Sequence, residues 1–469
     1  GDEVYLVGGS VRDALLGRET GDVDIATSGR VEESGSALAR LFAGTFVVMD
    51  AERGIGRVIV SGQAGIQHID IVSLGESIES NLARRDFTID AMAVPLRIDG
   101  EHTAEIVDLF EGQIDLDAGR IRALNDAVFT EDPVRLLRAV RLAAQLDMQI
   151  ESGTTGAIKR DVALVVGIAG ERVRDELLKL LATARPSSAL KLLDELGLLC
   201  EIMPELLESK GVDQPAEHHW DVFNHLVESP GQVERVLSVA DEPQDEAAVS
   251  VPTFDGIREY FAAPASDGFS RRTMLKFAAL LHDVGKPATK TIEDNGRIRF
   301  LGHQHVGAET VEEITKRLRF SRKGVEMVSS MVTYHLRPSQ MAQPGEMPTA
   351  RAAYRYFRDV GDVAIDTVYL NMADYLAAKG PELEIEDWQR HCRIIETILE
   401  SRNNTSSEKE SPKLLNGYTL MKAFDIPAGR FLGQMLELVR EAQMTGEIHT
   451  VEEALELVKA KMEERNGGA

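Results

Sequence analysis

The sequence predicts an α+β protein, with a small head built on a mixed sheet and an all-helical body that ends in a helical tail. Short apolar runs bounded by turn residues, typical of strands, are concentrated before residue 125, whereas apolar residues recur at helical spacing from Asp126 onward. Leu and Ala are the dominant apolar residues and aromatic residues make up only 5%, which also favours helices. The chain has 469 residues, 43% of them hydrophobic, enough for about three domains with packed cores.

The head is predicted to contain five strands and two helices. Its strand segments combine β-branched or aromatic residues with flanking turn residues, and its helical segments have apolar residues three to four positions apart. The predicted strands cover 4–8, 23–26, 46–49, 57–60 and 68–72, the helices cover 11–16 and 34–42, and 89–95 is a short buried element.

The body is predicted to be helical. Its first helix has apolar residues at 136, 137, 140, 143 and 146, which lie on one face at 3.6 residues per turn. Helices are predicted over 133–146, 171–182 and 187–198, from 218 onward and within 415–465, with a loop or insertion at 239–256 and a polar linker at 401–412.

The composition excludes several classes of protein. The net charge of −25 means that any contact with nucleic acid has to come from a local patch. Cys200 and Cys392 are the only cysteines, which excludes a disulfide framework or a cysteine-based zinc site. No apolar run approaches about 18 residues and no signal peptide is visible, so we expect a cytoplasmic protein without a membrane partner. The chain starts at Gly1 rather than Met, and we expect the natural start to lie upstream.

Asp22 and Asp24, with one residue between them, stand at a predicted strand shortly after the glycine turn Gly8-Gly9. Side chains two apart on a strand point to the same face, so this pair can hold metal ions about 3.5–4 Å apart, as in two-metal phosphoryl or nucleotidyl transfer sites. The glycines let the backbone approach a phosphate, which Arg12 can then bind. The alternative is a structural role, since Asp-x-Asp is common on the solvent face of edge strands.

Arg84 and Arg85 precede Asp86 in a second charged segment. Two adjacent arginines can bind a triphosphate, with Asp86 orienting one of them or contacting the ribose. The alternative is an ordinary surface network of arginine and aspartate.

A third segment places Arg135, Arg138 and Arg141 on one face of the first body helix. Unpaired arginines on one face repel one another, and an anionic ligand would relieve that cost. Asp132, just before them, can cap the helix. Alternatively, the Asp132 carboxylate offers a hydrogen-bond acceptor next to the donors of Arg135. This arrangement matches the amino donor and ring-nitrogen acceptor on the pairing edges of cytosine and adenine. Uracil and guanine have the opposite arrangement, so the pair can reject them without a nucleic-acid template.

In this order the motifs resemble those of the class II tRNA nucleotidyltransferases, a branch of the nucleotidyltransferase superfamily that also contains poly(A) polymerases. The resemblance lies in segments 8–13, 22–24, 84–88, 108–122, 131–135, 170–178 and 415–453, and so covers nearly all of the chain. It implies that Asp22 and Asp24 hold Mg²⁺, and that the tRNA 3′-hydroxyl attacks the α-phosphate of CTP or ATP with release of pyrophosphate. The nucleotide-binding residues that it implies are Gly8, Gly9, Arg12, Arg84, Arg85 and Asp86 for the triphosphate and sugar, and Asp132, Arg135, Arg138 and Arg141 for the base.

The segment 73–81, between the last predicted strand of the five and Arg84, is short. Members of the family that build the whole CCA end have a longer flexible segment here, which helps the site to change from C to A. We therefore expect an enzyme that adds two cytidines from CTP and stops. The alternatives are a full CCA-adding enzyme, then an A-adding enzyme or a poly(A) polymerase. Asp90 stands where the family usually has Asn, which leaves its polar contact open.

A second constellation in the body consists of His225, His282, Asp283, His303, His335 and Asp374. An adjacent His-Asp pair, completed by distant His and Asp residues, can hold one or two metal ions, and such mixed ligands suit Ni²⁺, Mn²⁺, Fe or Co²⁺. The pattern resembles the HD phosphohydrolase family over 218–380. It implies a metal-dependent phosphatase or phosphodiesterase, or a folded relic of one.

These resemblances together imply four domains. They are a nucleotidyltransferase head at 1–125, a helical neck for nucleotide selection and RNA binding at 126–217, an HD domain at 218–400, and a linker with a helical tail at 401–469. Two other functions stay open, an HD phosphohydrolase whose head senses nucleotides and a tRNA-binding protein without catalysis. The sequence does not indicate the oligomeric state.

Overall fold

The computed structural model describes residues 2–19, 21–60, 67–96, 105–243, 245–342, 345–408 and 412–467. The chain forms two compact units, the first from Gly1–Thr183 with Ser188–Ile202 and the second from Ala184–Ser187 with Met203–Ala469. The predicted fold class is confirmed, since a seven-stranded mixed sheet is followed by a helical body.

The sheet of the first unit has the strand order β3-β4-β5-β2-β1-β6-β7. Only β2 and β5 pair in parallel, and the other neighbours are antiparallel. The strands are β1 Val4–Val7, β2 Asp22–Thr27, β3 Thr45–Asp50, β4 Ile55–Ile59, β5 His68–Ser73, β6 Met92–Pro95 and β7 Val107–Asp108. The predicted short element at 89–95 consists of a 3₁₀ turn followed by β6.

Four helices accompany this sheet, and one of them covers the face opposite the carboxylate pair. They are α1 Gly9–Leu15, α2 Val31–Leu41, α3 Ile78–Leu82 and α4 Gly112–Asp117. Helix α2 packs over the ring of Phe46, where a Cβ atom at Gly35 or Gly56 would lie only 2.2 or 2.4 Å from the ring. These two glycines therefore permit the close approach of helix and sheet.

Residues 120–202 form short helices around a small parallel bridge of β8 Arg120–Ile121 with β9 Gln149–Ile150. Helix α6 buries the face that carries Leu136, Val140 and Ala143, as its apolar spacing predicts. The helices are α5 Val128–Glu131, α6 Val134–Leu146, α7 Ser152–Asp161, α8 Gly170–Leu181, α9 Pro186–Glu195 and α10 Leu198–Ile202.

The second unit is helical, with two small hairpins. One core lies between α11, α14, α17 and α19, where α14 and α19 each contact the other three helices. The helices are α11 Val222–Leu237, α12 Glu246–Val249, α13 Ile257–Ala262, α14 Arg271–Leu281, α15 Lys286–Thr289, α16 His303–Arg317, α17 Arg322–Tyr334, α18 Ala350–Val360, α19 Ala364–Lys379, α20 Ile385–Glu408, α21 Gly417–Phe424, α22 Arg430–Met444 and α23 Val451–Gly467. The hairpins pair β10 Pro264–Ser266 with β11 Phe269–Ser270 and β12 Lys290–Ile292 with β13 Ile298–Phe300.

Two predicted irregular segments differ from the structure. Segment 239–256 contains α12, and Trp388 Nε1 donates to the carbonyl oxygen of Ala247 at 2.8 Å. The predicted polar linker at 401–412 is wrong over 401–408, which continue α20, while 409–411 lie outside the described residues. Extending an existing helix needs no new nucleus, so polar residues of modest propensity can follow a packed helix.

Within these described ranges, no helix is both long and apolar enough to span a membrane.

Candidate active site and a second metal-ligating cluster

The carboxylate pair lies on β2, a strand inside the sheet. Asp22 and Asp24 are two residues apart on this strand and therefore share one face. Asp24 pairs in register with Asp70 on β5, which places a third carboxylate on that face. The prediction that Asp22 and Asp24 point to the same side of the sheet agrees with this register.

The glycine turn before α1 leaves room for charged groups. A Cβ atom at Gly8, whose φ is +65°, would lie 2.7 Å from Arg85 Nη1 and 3.5 Å from Asp24 Oδ2. A Cβ atom at Gly9 would lie 3.4 Å from Arg12 Nη2. Two guanidinium groups and a carboxylate thus converge beside this turn, and larger residues there would displace them.

Ser10 ties the glycine turn to β2, a role that the sequence analysis missed. Its Oγ accepts from the backbone N–H of Asp24 at 2.7 Å and donates to the carbonyl oxygen of Asp22 at 3.3 Å. The only signal in the sequence is a hydroxyl residue directly after two glycines.

Arg12 is buried between two carboxylates. Its Nη1 donates to Asp90 Oδ1 at 2.6 Å, and its Nε donates to Asp13 Oδ1 at 2.8 Å. Asp90, where the family usually has Asn, is therefore the charged partner of Arg12. This pairing fixes the guanidinium beside Gly9.

The two adjacent arginines separate in the structure. Arg85 reaches Gly8 and also donates to Asn81 Oδ1 at 3.4 Å. Arg84 is exposed, and its guanidinium lies instead near Gly75, 3.2 Å from the position of a Cβ atom there. Only Arg85 of this pair lies beside the carboxylates.

The carboxylate face brings several acidic side chains close together. Burial raises the pKa of Asp24 to about 6; Arg85 opposes this shift, while Asp70, Asp90 and Asp22 add to it. Carboxylate oxygens are the ligands that Mg²⁺ prefers, and Mg²⁺ in such sites is held by one or two carboxylates together with substrate phosphates. The residues present therefore fit a divalent cation.

Asp70 has a strong partner of its own. Arg57 on β4 donates to both of its oxygens at 2.7 Å. Asp70 is therefore an ion-paired carboxylate on this face.

We expect Asp24→Asn to stabilise the metal-free protein at pH 8 and to have little effect at pH 4. Because the folded-state pKa of Asp24 is raised from 3.8 to about 6, the folded state binds the extra proton between these values, and stability falls as pH rises through that window. Asn removes this loss of stability, which is on the order of 3 kcal/mol. Urea unfolding in EDTA at both pH values measures it. Asp50→Asn on β3 is the matched control, and equal gains for both variants at pH 8 would contradict the expectation.

The arginines of α6 already have acidic partners. Arg138 Nη1 donates to Asp86 at 2.8 Å and its Nε to Glu176 at 3.4 Å, while Arg141 Nε donates to Glu176 at 2.6 Å. The prediction that these arginines are unpaired and need an anionic ligand is therefore wrong. Asp86 and Glu176 are both buried and distant in sequence, so helical spacing alone gave no sign of them.

Arg135 connects α6 to the segment of the adjacent arginines. Its Nη2 donates to the carbonyl oxygen of Arg84 at 3.0 Å and its Nη1 to that of Val128 at 3.2 Å. The same Nη1 lies 3.3 Å from Glu131. Arg135 thus has a fixed position beside Asp132.

Asp132 is held by a residue that the sequence analysis did not single out. Arg172 on α8 donates to both oxygens of Asp132, at 2.9 and 2.8 Å. Partial burial alone would raise the pKa of Asp132, but Arg172 holds it below its usual value. The carboxylate therefore stays ionised and acts only as an acceptor. As a helix cap it is weak, since its contact with the N–H of Val134 is 3.4 Å long.

The histidines and aspartates of the body meet in two groups that share Asp283. In the first group, His225 Nε2 lies 3.1 Å from Asp374 Oδ1 and 3.3 Å from Asp283 Oδ2, and His282 Nε2 lies 3.3 Å from each of these oxygens. In the second group, Asp283 Oδ1 lies 3.0 Å from His303 Nε2 and 3.5 Å from His335 Nε2. Both groups have the spacing to hold a metal ion, with Asp283 between them.

Backbone carbonyls orient three of the histidine rings. The Nδ1 atoms of His282, His303 and His335 lie 2.7–2.8 Å from the carbonyl oxygens of Ala279, Phe300 and Val332. This arrangement fixes the proton on Nδ1 and leaves Nε2 to face the shared carboxylate, as in metal-ligating histidines. Mixed imidazole and carboxylate donors fit a first-row transition metal.

The cluster also binds protons when no metal neutralises it. Burial alone would lower the pKa of His282, but Asp283 and Asp374 raise it to about 10. Since metal ligation requires neutral imidazole, a metal ion would compete with this proton.

Three segments match known families, and relatives match nearly the whole chain. The segments are 4–122 with the Poly A polymerase head domain, 147–209 with the probable RNA and SrmB-binding site of polymerase A, and 258–379 with the HD domain. The A-adding tRNA nucleotidyltransferase of Deinococcus radiodurans is 32% identical over 468 residues, which cover 98% of this chain and 96% of the relative. The CC-adding tRNA nucleotidyltransferase of Thermus thermophilus is 30% identical over 462 residues, covering 96% and 92%.

A solved structure of a CCA-adding enzyme with CTP has the same fold, with a TM-score of 0.63 and 23% identity over 99% of this chain and 92% of that chain. The relatives and the solved structure both match nearly the whole chain. The protein belongs to the tRNA nucleotidyltransferase family.

Proposed function

We propose that the protein extends the 3′ end of tRNA by transferring nucleotides from CTP without a nucleic-acid template. The observation that carries this proposal is the position of Asp22 and Asp24 on one face of β2, beside a glycine turn that accommodates Arg12 and Arg85. Relatives that match nearly the full length of the chain are named for this activity. We also propose the domain boundaries and the cytoplasmic location that the sequence suggests.

In this proposal Asp22 and Asp24 would hold Mg²⁺, which would supply activation of the attacking hydroxyl and compensation of the phosphate charge. Arg12 and Arg85, placed beside the glycine turn, bind the triphosphate through charge-assisted hydrogen bonds. Asp90 orients Arg12 and Asn81 orients Arg85. Most of the rate enhancement then comes from positioning and from charge neutralisation.

Selection of the base is assigned to Asp132 together with Arg135. An ionised Asp132 accepts from the exocyclic amino group of cytosine and repels the carbonyl oxygen that uracil has at the same position. Arg172 keeps this carboxylate ionised and fixes its plane through two hydrogen bonds. Arg138 and Arg141 hold helix α6 in place through Asp86 and Glu176, so their contribution to base selection is indirect.

We expect Arg172→Gln to lower the preference for CTP over UTP by about tenfold, because a carboxylate without its bidentate partner can rotate. Steady-state incorporation of each nucleotide into tRNA measures the two values of kcat/KM. Arg174→Gln is the matched control, since Arg174 lies two residues away on α8 and pairs with its neighbour Asp175. Unchanged preference in Arg172→Gln would remove Arg172 from base selection.

The finer proposal is that the enzyme adds two cytidines and stops. The segment after β5, which is longer and flexible in members that build the whole CCA end, is short here and well anchored. Ser77 and Ser80 form a reciprocal capping box at the start of α3, and Asn81 Nδ2 donates to the carbonyl oxygen of Ser73 at 3.3 Å. Leu82 is fully buried. A segment fixed in this way favours a single nucleotide specificity.

The test uses tRNA that ends before, within or after CC, incubated with Mg²⁺ and labelled CTP or ATP. We expect up to two cytidines and no adenosine. Adenosine incorporated after CC would support a full CCA-adding or A-adding enzyme instead. A failure to incorporate either nucleotide into any of these substrates would reject the transferase proposal.

A second candidate activity belongs to the histidine cluster of the body. We propose that it binds one or two divalent transition-metal ions and hydrolyses phosphoesters, because two groups of ligand atoms share Asp283. Ni²⁺, Mn²⁺, Fe and Co²⁺ all suit these donors.

A further inference from the structure

A cavity of about 690 Å³ opens between helices of the second unit. Its walls come from α13, α18, α19, α20 and α22. Helix α19 contributes Ile365 to the cavity and Asp374 to the histidine cluster, and these positions are roughly 14 Å apart along the helix. The six residues of that cluster do not line the cavity. This volume lies in the range of small-molecule sites, about 300–1,000 Å³.

Arginines and aromatic rings line the same space. Tyr354 and Phe357 on α18 supply two ring systems, and Arg402 on α20 and Arg440 on α22 supply two guanidinium groups. All four side chains are only partly buried, so a ligand in the cavity can reach them.

The charges at the cavity are unevenly compensated. Arg358 is ion-paired with Glu437 and Asp359, and Asp362 is ion-paired with Arg271. These pairs cancel within the protein.

Arg440 differs, because its Nη1 donates to the neutral Gln443 Oε1 at 3.2 Å, and it forms no ion pair within the described parts of the chain. Arg440 thus places a positive charge at the cavity, although the net charge of the chain is −25. An anionic ligand would supply the missing partner.

We propose that this cavity binds a free nucleotide, with its phosphates on Arg402 and Arg440 and its base against Tyr354 or Phe357. The combination of a planar ring and an adjacent anion is what these side chains recognise together. A phosphate alone would leave the aromatic walls without a partner, and a nucleoside alone would leave Arg440 uncompensated. None of the residues that line the cavity belongs to the carboxylate pair, so we expect nucleotide binding here without a divalent metal.

The test is equilibrium dialysis of the full-length protein with ATP in EDTA, where metal-bridged nucleotide binding is suppressed. We expect Arg440→Gln to weaken one ATP site per chain by at least about tenfold. Arg430→Gln, on the same helix but outside the cavity, is the matched control and should bind ATP as the wild type does. Adenosine and inorganic triphosphate should each bind more weakly than ATP.

Tyr354→Leu provides a second variant that keeps the charge and removes the ring, and it should weaken ATP but not inorganic triphosphate. Thermal unfolding of each variant checks that it is folded. The proposal is overturned if the wild type binds no ATP at 5 mM in EDTA, or if both variants bind ATP as the wild type does. It is also overturned if the variants bind ATP normally but bind tRNA more weakly, since the cavity would then contact RNA.

Discussion

Asp22→Asn and Asp24→Asn are each expected to lower the rate of tRNA extension by at least about 10³-fold. Asn keeps the size of the side chain but removes the negative charge that attracts Mg²⁺. In the proposed mechanism, loss of the metal would remove the activation of the hydroxyl and the compensation of phosphate charge that it would supply. Single-turnover incorporation of labelled CTP at saturating Mg²⁺ measures the rate.

The matched control is Asp50→Asn on the edge strand of the same sheet, which should extend tRNA at the wild-type rate. Affinity for tRNA should persist in Asp22→Asn and Asp24→Asn, because the role proposed for these carboxylates is to hold a metal ion and not to bind RNA. Extension by Asp22→Asn and Asp24→Asn together at a rate close to that of the wild type would remove the pair from the mechanism.

His282→Ala is expected to lower metal affinity at the histidine cluster by at least about 100-fold while tRNA extension continues. The His282 ring contributes to the group that contains His225 and Asp374, and its loss leaves buried carboxylates without that donor. Metal content after dialysis, measured by mass spectrometry, reports the change. Any hydrolysis of model phosphoesters by the protein should fall with it.

His305→Ala is the control for this experiment. His305 is exposed and lies two residues from His303 on α16, yet it belongs to neither ligand group. It should leave the metal content unchanged. Equal loss of metal in both variants would indicate general damage to the domain, and full retention in both would contradict the assignment of His282.

Local sequence patterns were sufficient to predict the elements that carry the candidate site. Side chains alternate between the two faces of a strand, which places Asp22 and Asp24 on one face of β2. The spacing of apolar residues at 3.6 per turn identified the buried side of α6. The Gly8-Gly9 motif also predicted a turn that needs glycine, and Gly8 has a φ of +65°.

Partners distant in the sequence were not predictable in this way. Arg172 lies 40 positions after Asp132, and Asp86 lies 52 positions before Arg138, so no helical period relates them. The fold brings these charges together, and it compensates arginines that look unpaired when only their own helix is considered. For the same reason, the sequence did not separate Arg84 from Arg85, although only Arg85 lies beside the glycine turn.

Metal rescue with a sulfur-substituted nucleotide tests the central claim most directly, namely that Asp22 and Asp24 hold a divalent cation at the reacting phosphate. CTP with sulfur on its α-phosphate is supplied to the protein and tRNA, with either Mg²⁺ or the more thiophilic Cd²⁺. We expect slow extension with Mg²⁺ and recovery with Cd²⁺ in the wild type, and no recovery in Asp24→Asn. An unchanged rate on sulfur substitution in Mg²⁺, or equal recovery by Cd²⁺ in Asp24→Asn, would contradict this assignment.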